Sequence, residues 1–241
     1  MNNLKHLITG EVVRMQKYNI LAASLVVAFI WIGVLHITAI EEIGLMLVVV
    51  LFFDVTAMAS LLVGVSIFFE KQESTIKTLL ISPISKEEYI TSKIGANLVS
   101  GFFTLLLLLS YAYFVRDAQF QLLYLAGAVG IGVVVNSMIG FLLTYRSRDF
   151  TGLLMNLIGF NILLLFPVIF ELFGLIQSDL FSKALYVLPT KAILTLMLAA
   201  VNTPEPWEIY LSLGYMLILS VVLFRIIVTR FDEFSIRESG V

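Results

Sequence analysis

The sequence predicts an all-α integral membrane fold with six transmembrane helices, and three observations carry that prediction. Of its 241 residues, 60% are hydrophobic and only 13% charged, with a mean hydropathy of +1.01. A soluble domain carries roughly 45–50% apolar and about 25% charged residues. Six apolar stretches, 19–40, 43–69, 94–115, 120–145, 150–176 and 207–229, are each long enough to cross a membrane. A hydrocarbon core of about 30 Å takes about 20 helical residues. Third, the charges lie almost wholly between these stretches, and the Leu- and Val-rich runs lack the alternation of a membrane β-strand. The net charge of −2 offers no field for nucleic acid. With zero cysteines, disulfides, thiolate metal sites and cysteine nucleophiles are excluded, and His6 and His36 stand too far apart in the chain to suggest a metal site.

The first element, 1–18, reads as an amphipathic elbow helix lying in the membrane interface. Leu4, Leu7, Ile8, Val12 and Met15 recur at helical spacing, with Lys5, Glu11, Arg14 and Lys17 off that face. The first span follows without a small-residue cleavage site, so it reads as a retained helix. Asp54 falls near the middle of the second span, about 16 Å from its start at residue 43. An ionisable group at that depth is costly and by default a functional candidate. It reads either as a buried acid locking helices together or as part of a pathway through the membrane. Thr56, Ser60 and Gly64 follow one face of the same helix, and small faces of this kind let membrane helices approach closely. Thr56 and Ser60 are also candidates for a pathway wall.

Between the second and third spans, 70–93 packs eight charges into 24 residues. Its first half is helix-compatible, with Glu73 and Lys77 a favourable i,i+4 pair. Pro83 interrupts it, and Ser85 with Glu88 forms a capping box that starts a helix running into the third span. A plain connector needs only a few residues, so this helix–proline–helix element is expected to dock against something. In the fourth span Ala128, Gly132, Asn136 and Gly140 make a second small-residue face. The fifth contains Pro167, where the helix is expected to bend or end, and Glu171 near its far end, either structural or lining a pathway. The connection 177–206 holds two short apolar segments around Pro189, the pattern of a re-entrant helical hairpin packed in protein. Twelve of the fifteen Lys and Arg residues fall on the side of the membrane that holds both termini; Arg116, Lys183 and Lys191 fall on the other. Because basic loops resist translocation, both termini are expected in the cytoplasm.

Catalytic patterns are missing. There is no GxxxxGK[ST] phosphate loop and no HExxH; Gly64-Val65-Ser66 lacks the closing glycine of a nucleophile motif. Glu41-Glu42 resembles the paired acids of intramembrane prenyl-protein proteases, but Met46 stands where a basic residue would be needed. The chain is therefore not expected to be an enzyme, and no metal site is expected.

The run from Phe68 to Lys93, FFEKQESTIKTLLISPISKEEYITSK, resembles the cytoplasmic signature of ABC-2 type permeases. It keeps Glu70, Glu73, Thr75, Leu79, Ser82, Pro83, Glu88, Tyr89 and Lys93, and departs at Ser74, where glycine is usual. Asp54 and Leu188-Pro189-Thr190 are similar to the fluoroquinolone-exporter type of these permeases. The resemblance implies a single transmembrane domain over 1–241 with an elbow helix (1–18), a coupling-helix loop (70–93) and an outer hairpin (177–206). It implies a half-transporter in the plasma membrane of a prokaryote, paired as a homo- or heterodimer. The partner would be a separate ABC ATPase that binds ATP and Mg, leaving this chain without a cofactor. The substrate would be a hydrophobic or amphipathic molecule, and the task multidrug efflux. In that frame Ile76, Leu79 and Leu80 would fill an apolar groove of the ATPase, with Glu70, Lys71, Glu73 and Lys77 at its polar rim and Pro83 and Glu88 shaping the loop. Two other readings of the residues stay open: a membrane scaffold or immunity protein, and an ion-coupled transporter that uses Asp54.

Overall fold

A computed structural model of the chain describes residues 2–39, 43–73, 75, 83–176, 178–201 and 204–239. Nine helices follow one another among these: α1 (Asn2–Lys17), α2 (Ile20–Ile37), α3 (Ile43–Gln72), α4 (Lys86–Arg116), α5 (Leu122–Arg146), α6 (Phe150–Leu172), α7 (Asp179–Leu185), α8 (Pro189–Leu198) and α9 (Pro206–Ser239). No strand occurs among the described residues. Six helices, α2 to α6 and α9, are long and apolar enough to cross a membrane, the number expected.

The expected ends shift where side chains intervene. Helix α2 stops at Ile37 because Arg116, at the end of α4, donates to the carbonyls of Leu35, His36 and Thr38. A helix end leaves its last carbonyls without partners, and a guanidinium with five donors closes three of them at once. Helix α9 runs ten residues beyond its expected end, to Ser239. Its extension is held by Phe231 and Phe234, both 4% exposed, which pack on Tyr89 and Tyr145. Pro167 does not end the fifth span: α6 continues through it to Leu172. Proline removes the partner of the carbonyl four residues back, and beside that point Thr190 of α8 donates to Leu164 O at 2.5 Å.

The interior is built from α3, α5 and α8. In their most apolar windows α3 and α5 are 72% and 56% buried, against 17–28% for the four surrounding spans. Those four turn residues such as Phe29, Phe103, Leu163 and Ile218 outward, where lipid replaces water as the solvent. Lipid gives little hydrophobic gain for helix association, so close packing has to supply it. The two small-residue faces do this: a Cβ placed on Gly140 would stand 2.5 Å from Ser60 O, and one on Gly132 would stand 2.6 Å from Val55 Cγ1. Helix α8 starts with Pro189 at its first turn and buries Ala192 to Met197 against α3, α5 and α9.

Both termini lie at one end of the bundle, where Lys17 pairs with Glu73 at 3.3 Å and Lys86 with Asp232 at 2.8 Å. The opposite end carries α7, α8 and the pair Lys191–Glu171, 2.6 Å apart.

Candidate functional site

At the terminal end, four charges from three helices meet, Glu11, Glu70 and Lys93 buried and Arg14 reaching solvent. Glu11 and Arg14 come from α1, Glu70 from the last turns of α3, and Lys93 from the second turn of α4. Lys93 Nζ lies 2.9 Å from Glu11 Oε2 and 3.0 Å from Glu70 Oε1, and donates to Ser66 Oγ at 2.9 Å. Arg14 pairs with Glu11 at 3.2 Å and with Glu70. Tyr89 donates its hydroxyl to Glu70 Oε2 at 2.6 Å. Glu70 and Lys93 are 1% and 3% exposed. Two anions and two cations leave the group formally neutral, the condition under which buried charges are tolerated.

The helical repeat explains the arrangement. Ser66 and Glu70 are four apart on α3, and Tyr89 and Lys93 four apart on α4, so each pair shares one helix face. Run antiparallel, the two faces meet as rungs: Glu70 with Tyr89, then Ser66 with Lys93. A further rung lies deeper, where Asn97 Nδ2 donates to Ala59 O at 2.8 Å and to Ser137 Oγ of α5 at 2.7 Å. Beyond it the face of α4 presents Ser100 and Thr104 to Asp54, which opens a turn of π-helix, Asp54–Met58, inside α3. The widened turn frees backbone acceptors, and Thr56 donates to two of them, Phe52 O and Phe53 O. A buried polar seam thus runs from the charged cluster to mid-membrane.

At its solvent edge, α1 is also tied to the segment after α3. Tyr18 stacks on Phe69 with ring centroids 4.7 Å apart. Burial, and then hydrogen bonding to Glu73, push the Tyr18 hydroxyl up to about 12; the same hydrogen bonding, with Lys17 beside it, holds the Glu73 carboxyl below its ordinary value.

Comparison with known proteins bears on this arrangement. A profile of the Fluoroquinolones export permease protein family matches residues 2–239, nearly the whole chain. This chain belongs to that family. Two fluoroquinolones export permease proteins of Mycobacterium tuberculosis, from strains CDC 1551 / Oshkosh and ATCC 25618 / H37Rv, are each 25% identical to it over 190 residues. The matched region is 78% of this chain and 77% of each relative.

In this family member the residues expected to matter fall into separate places. Glu70, expected at the rim of a docking groove, is instead drawn inward, because Arg14, Tyr89 and Lys93 satisfy it there. Glu11, expected off the buried face of the first helix, is 7% exposed for the same reason: Lys93 faces it. Lys71 reaches across to Arg148 O at 3.0 Å. Glu88 completes the capping box with Ser85, as its spacing predicts, while Pro83 stays exposed. Ile76, Lys77, Leu79 and Leu80 lie outside the described residues, as do Ser74, Ser82, Glu41 and Glu42. Thr56 and Ser60 are buried with Gly64, Ala128, Gly132, Asn136 and Gly140, and both hydroxyls turn back onto their own helix. Glu171 pairs with Lys191 and thereby pins α8 to α6. Sequence reasoning missed the joining of Glu11, Arg14, Glu70 and Lys93; its one visible sign is two charges, Glu11 and Lys93, set beside apolar neighbours of their own helices. Among the described residues no three His, Asp or Glu side chains gather as a metal site would require.

Proposed function

We propose that this chain is the membrane permease subunit of an ATP-binding-cassette exporter of the ABC-2 type. It would work as a dimer and be driven by a separate ATPase subunit that binds ATP and Mg. The observation that carries the reading is the charged cluster. It fastens α1 to the two helices that flank 73–85, so force applied to that segment passes directly into α3 and α4. In this reading α1 is the elbow helix and 70–93 the coupling loop, presented to the ATPase at the cytoplasmic face, where both termini also lie. Glu73, Lys71, Pro83 and Glu88 shape its edges, and Ile76, Leu79 and Leu80 make its apolar contact, with Lys77 at the rim. Burying one such side chain contributes about 1.5–3 kcal/mol.

Glu70 serves as part of the frame behind the coupling element. The core helix α3 and the more exposed α6 are the walls of the pathway, which the second subunit completes in the plasma membrane. The relatives are named for export of fluoroquinolones, and planar, amphipathic antibiotics of that class are the substrates to try first.

Co-purification tests the reading. A co-expressed ABC ATPase should be retained by the wild type and lost with Leu79→Asp or Leu80→Asp, together with drug efflux. If both variants keep association and efflux, the coupling assignment is wrong.

A further inference from the structure

Asp54 is a buried group that the coupling arrangement does not use. It is 7% exposed, opens the π-helical turn of α3, and enters no ion pair among the described residues. An isolated carboxylate inside a membrane protein is costly unless something of opposite charge accompanies it. Lys93, the buried cation farther along α4, is already held between Glu11 and Glu70. The Trp31 indole of α2 lies beside the carboxylate, and its buried Nε1 makes no hydrogen bond among the described residues.

Around Asp54 the neighbouring helices supply oxygen. Ser24, Asn97, Ser100 and Thr104 border one cavity with it, large enough for a single water-sized guest. Ser100 and Thr104 are each 3% exposed, and neither hydroxyl bonds to another described residue. Asn97 spends its amide nitrogen on Ala59 O and Ser137 Oγ, which leaves its amide oxygen available. Ser24 donates to Leu21 O, which leaves its lone pairs available. The polar residues bordering the cavity therefore carry one carboxylate, three hydroxyls and one amide oxygen. Hard oxygen donors select hard cations, a single negative charge matches a monovalent one, and the cavity's size excludes an organic ammonium.

We propose that Asp54, with Ser24, Asn97, Ser100 and Thr104, forms a mid-membrane binding site for one sodium-sized monovalent cation. The bound ion supplies the missing countercharge and ties α2, α3 and α4 together at the π-turn. A second water-sized cavity, beside Lys93 and Glu11, shares Asn97 and Leu62 with this one and lies on its terminal side. The site stands on this geometry alone, and its test involves no ATPase, so it survives or fails apart from the coupling reading.

Trp31 provides the readout. The chain has two tryptophans, so Trp207→Phe leaves Trp31 as the sole reporter in the purified full-length protein. Sodium chloride is exchanged for choline chloride at constant ionic strength and fixed pH. A saturable change in Trp31 emission is expected. It should vanish with Asp54→Asn and move to about tenfold higher sodium with Thr104→Val, which keeps the charge.

Three results overturn the proposal: no saturable change in monodisperse Trp207→Phe protein, a change that persists in Asp54→Asn, or one that follows pH alone and ignores sodium, which would mark a proton site. Should Asp54→Asn fail to fold, unchanged midpoints in both Thr104→Val and Ser100→Ala also overturn it.

Discussion

Lys93 answers two carboxylates at once, so its removal does more than delete one ion pair. In Lys93→Met, Glu11 and Glu70 remain buried with Arg14 as their shared cation. Leaving a buried charge uncompensated costs about 3–5 kcal/mol, and thermal unfolding in detergent should show a loss of that order. Adding Glu11→Gln should recover part of it, since residues of one network do not act additively. Glu73 behaves differently, being exposed. Its folded-state pKa is depressed by Tyr18 hydrogen bonding and by Lys17, so its contribution is present above the ordinary carboxylate value of 4.5 and is lost as pH falls through the lower folded value. Tyr18, raised to about 12, keeps its proton throughout that range. Hydrogen exchange at the end of α1 should therefore speed up below pH 4.5 in the wild type relative to Glu73→Gln, which lacks the titrating group. An identical pH course in both would show that the contact does not hold α1.

Among the elements, the contact of α3 with α5 is the least forgiving. Gly140→Ala puts a methyl group within 2.5 Å of Ser60 O, and overpacking of that kind costs about 1–3 kcal/mol. Gly33 on α2 has nothing within 4 Å of its added Cβ, so Gly33→Ala should be neutral or stabilising by up to about 1 kcal/mol through helix propensity. Paired melting curves of the two variants check the contrast. Both small-residue faces were visible in the sequence because four-residue spacing is a local pattern, and so was the Ser85–Glu88 cap. The π-turn at Asp54 was not: its residues read as ordinary helix, and it forms where α5 and α6 pack against it. Nor was the Arg116 clasp on α2, whose partners lie about eighty residues away in the chain. The same distance hid Glu11 from Lys93. Charge position is written locally, but charge pairing belongs to the tertiary fold.

For the molecule as a whole, length and hydropathy sufficed to count the spans, since a membrane imposes one dimension on every crossing helix. Orientation is the whole-molecule property still open to direct test, and the lack of cysteine makes the test clean. In intact cells Gln119→Cys should react with an impermeant maleimide, whereas Glu233→Cys should react only after permeabilisation. The reverse pattern would place the termini outside.

Helix α8 bears on how the chain is assembled. Ten residues cannot cross a bilayer, so insertion machinery that reads hydrophobic length has no reason to retain Pro189–Leu198. Yet this helix ends up enclosed by α3, α5, α6 and α9, its Thr190 and Lys191 fastened to the sixth helix. Because α9 forms one side of the site that α8 occupies, α8 is expected to dock only once α9 is in place. A chain truncated before Pro206 is then expected to leave α8 open to added protease, whereas the full chain protects it.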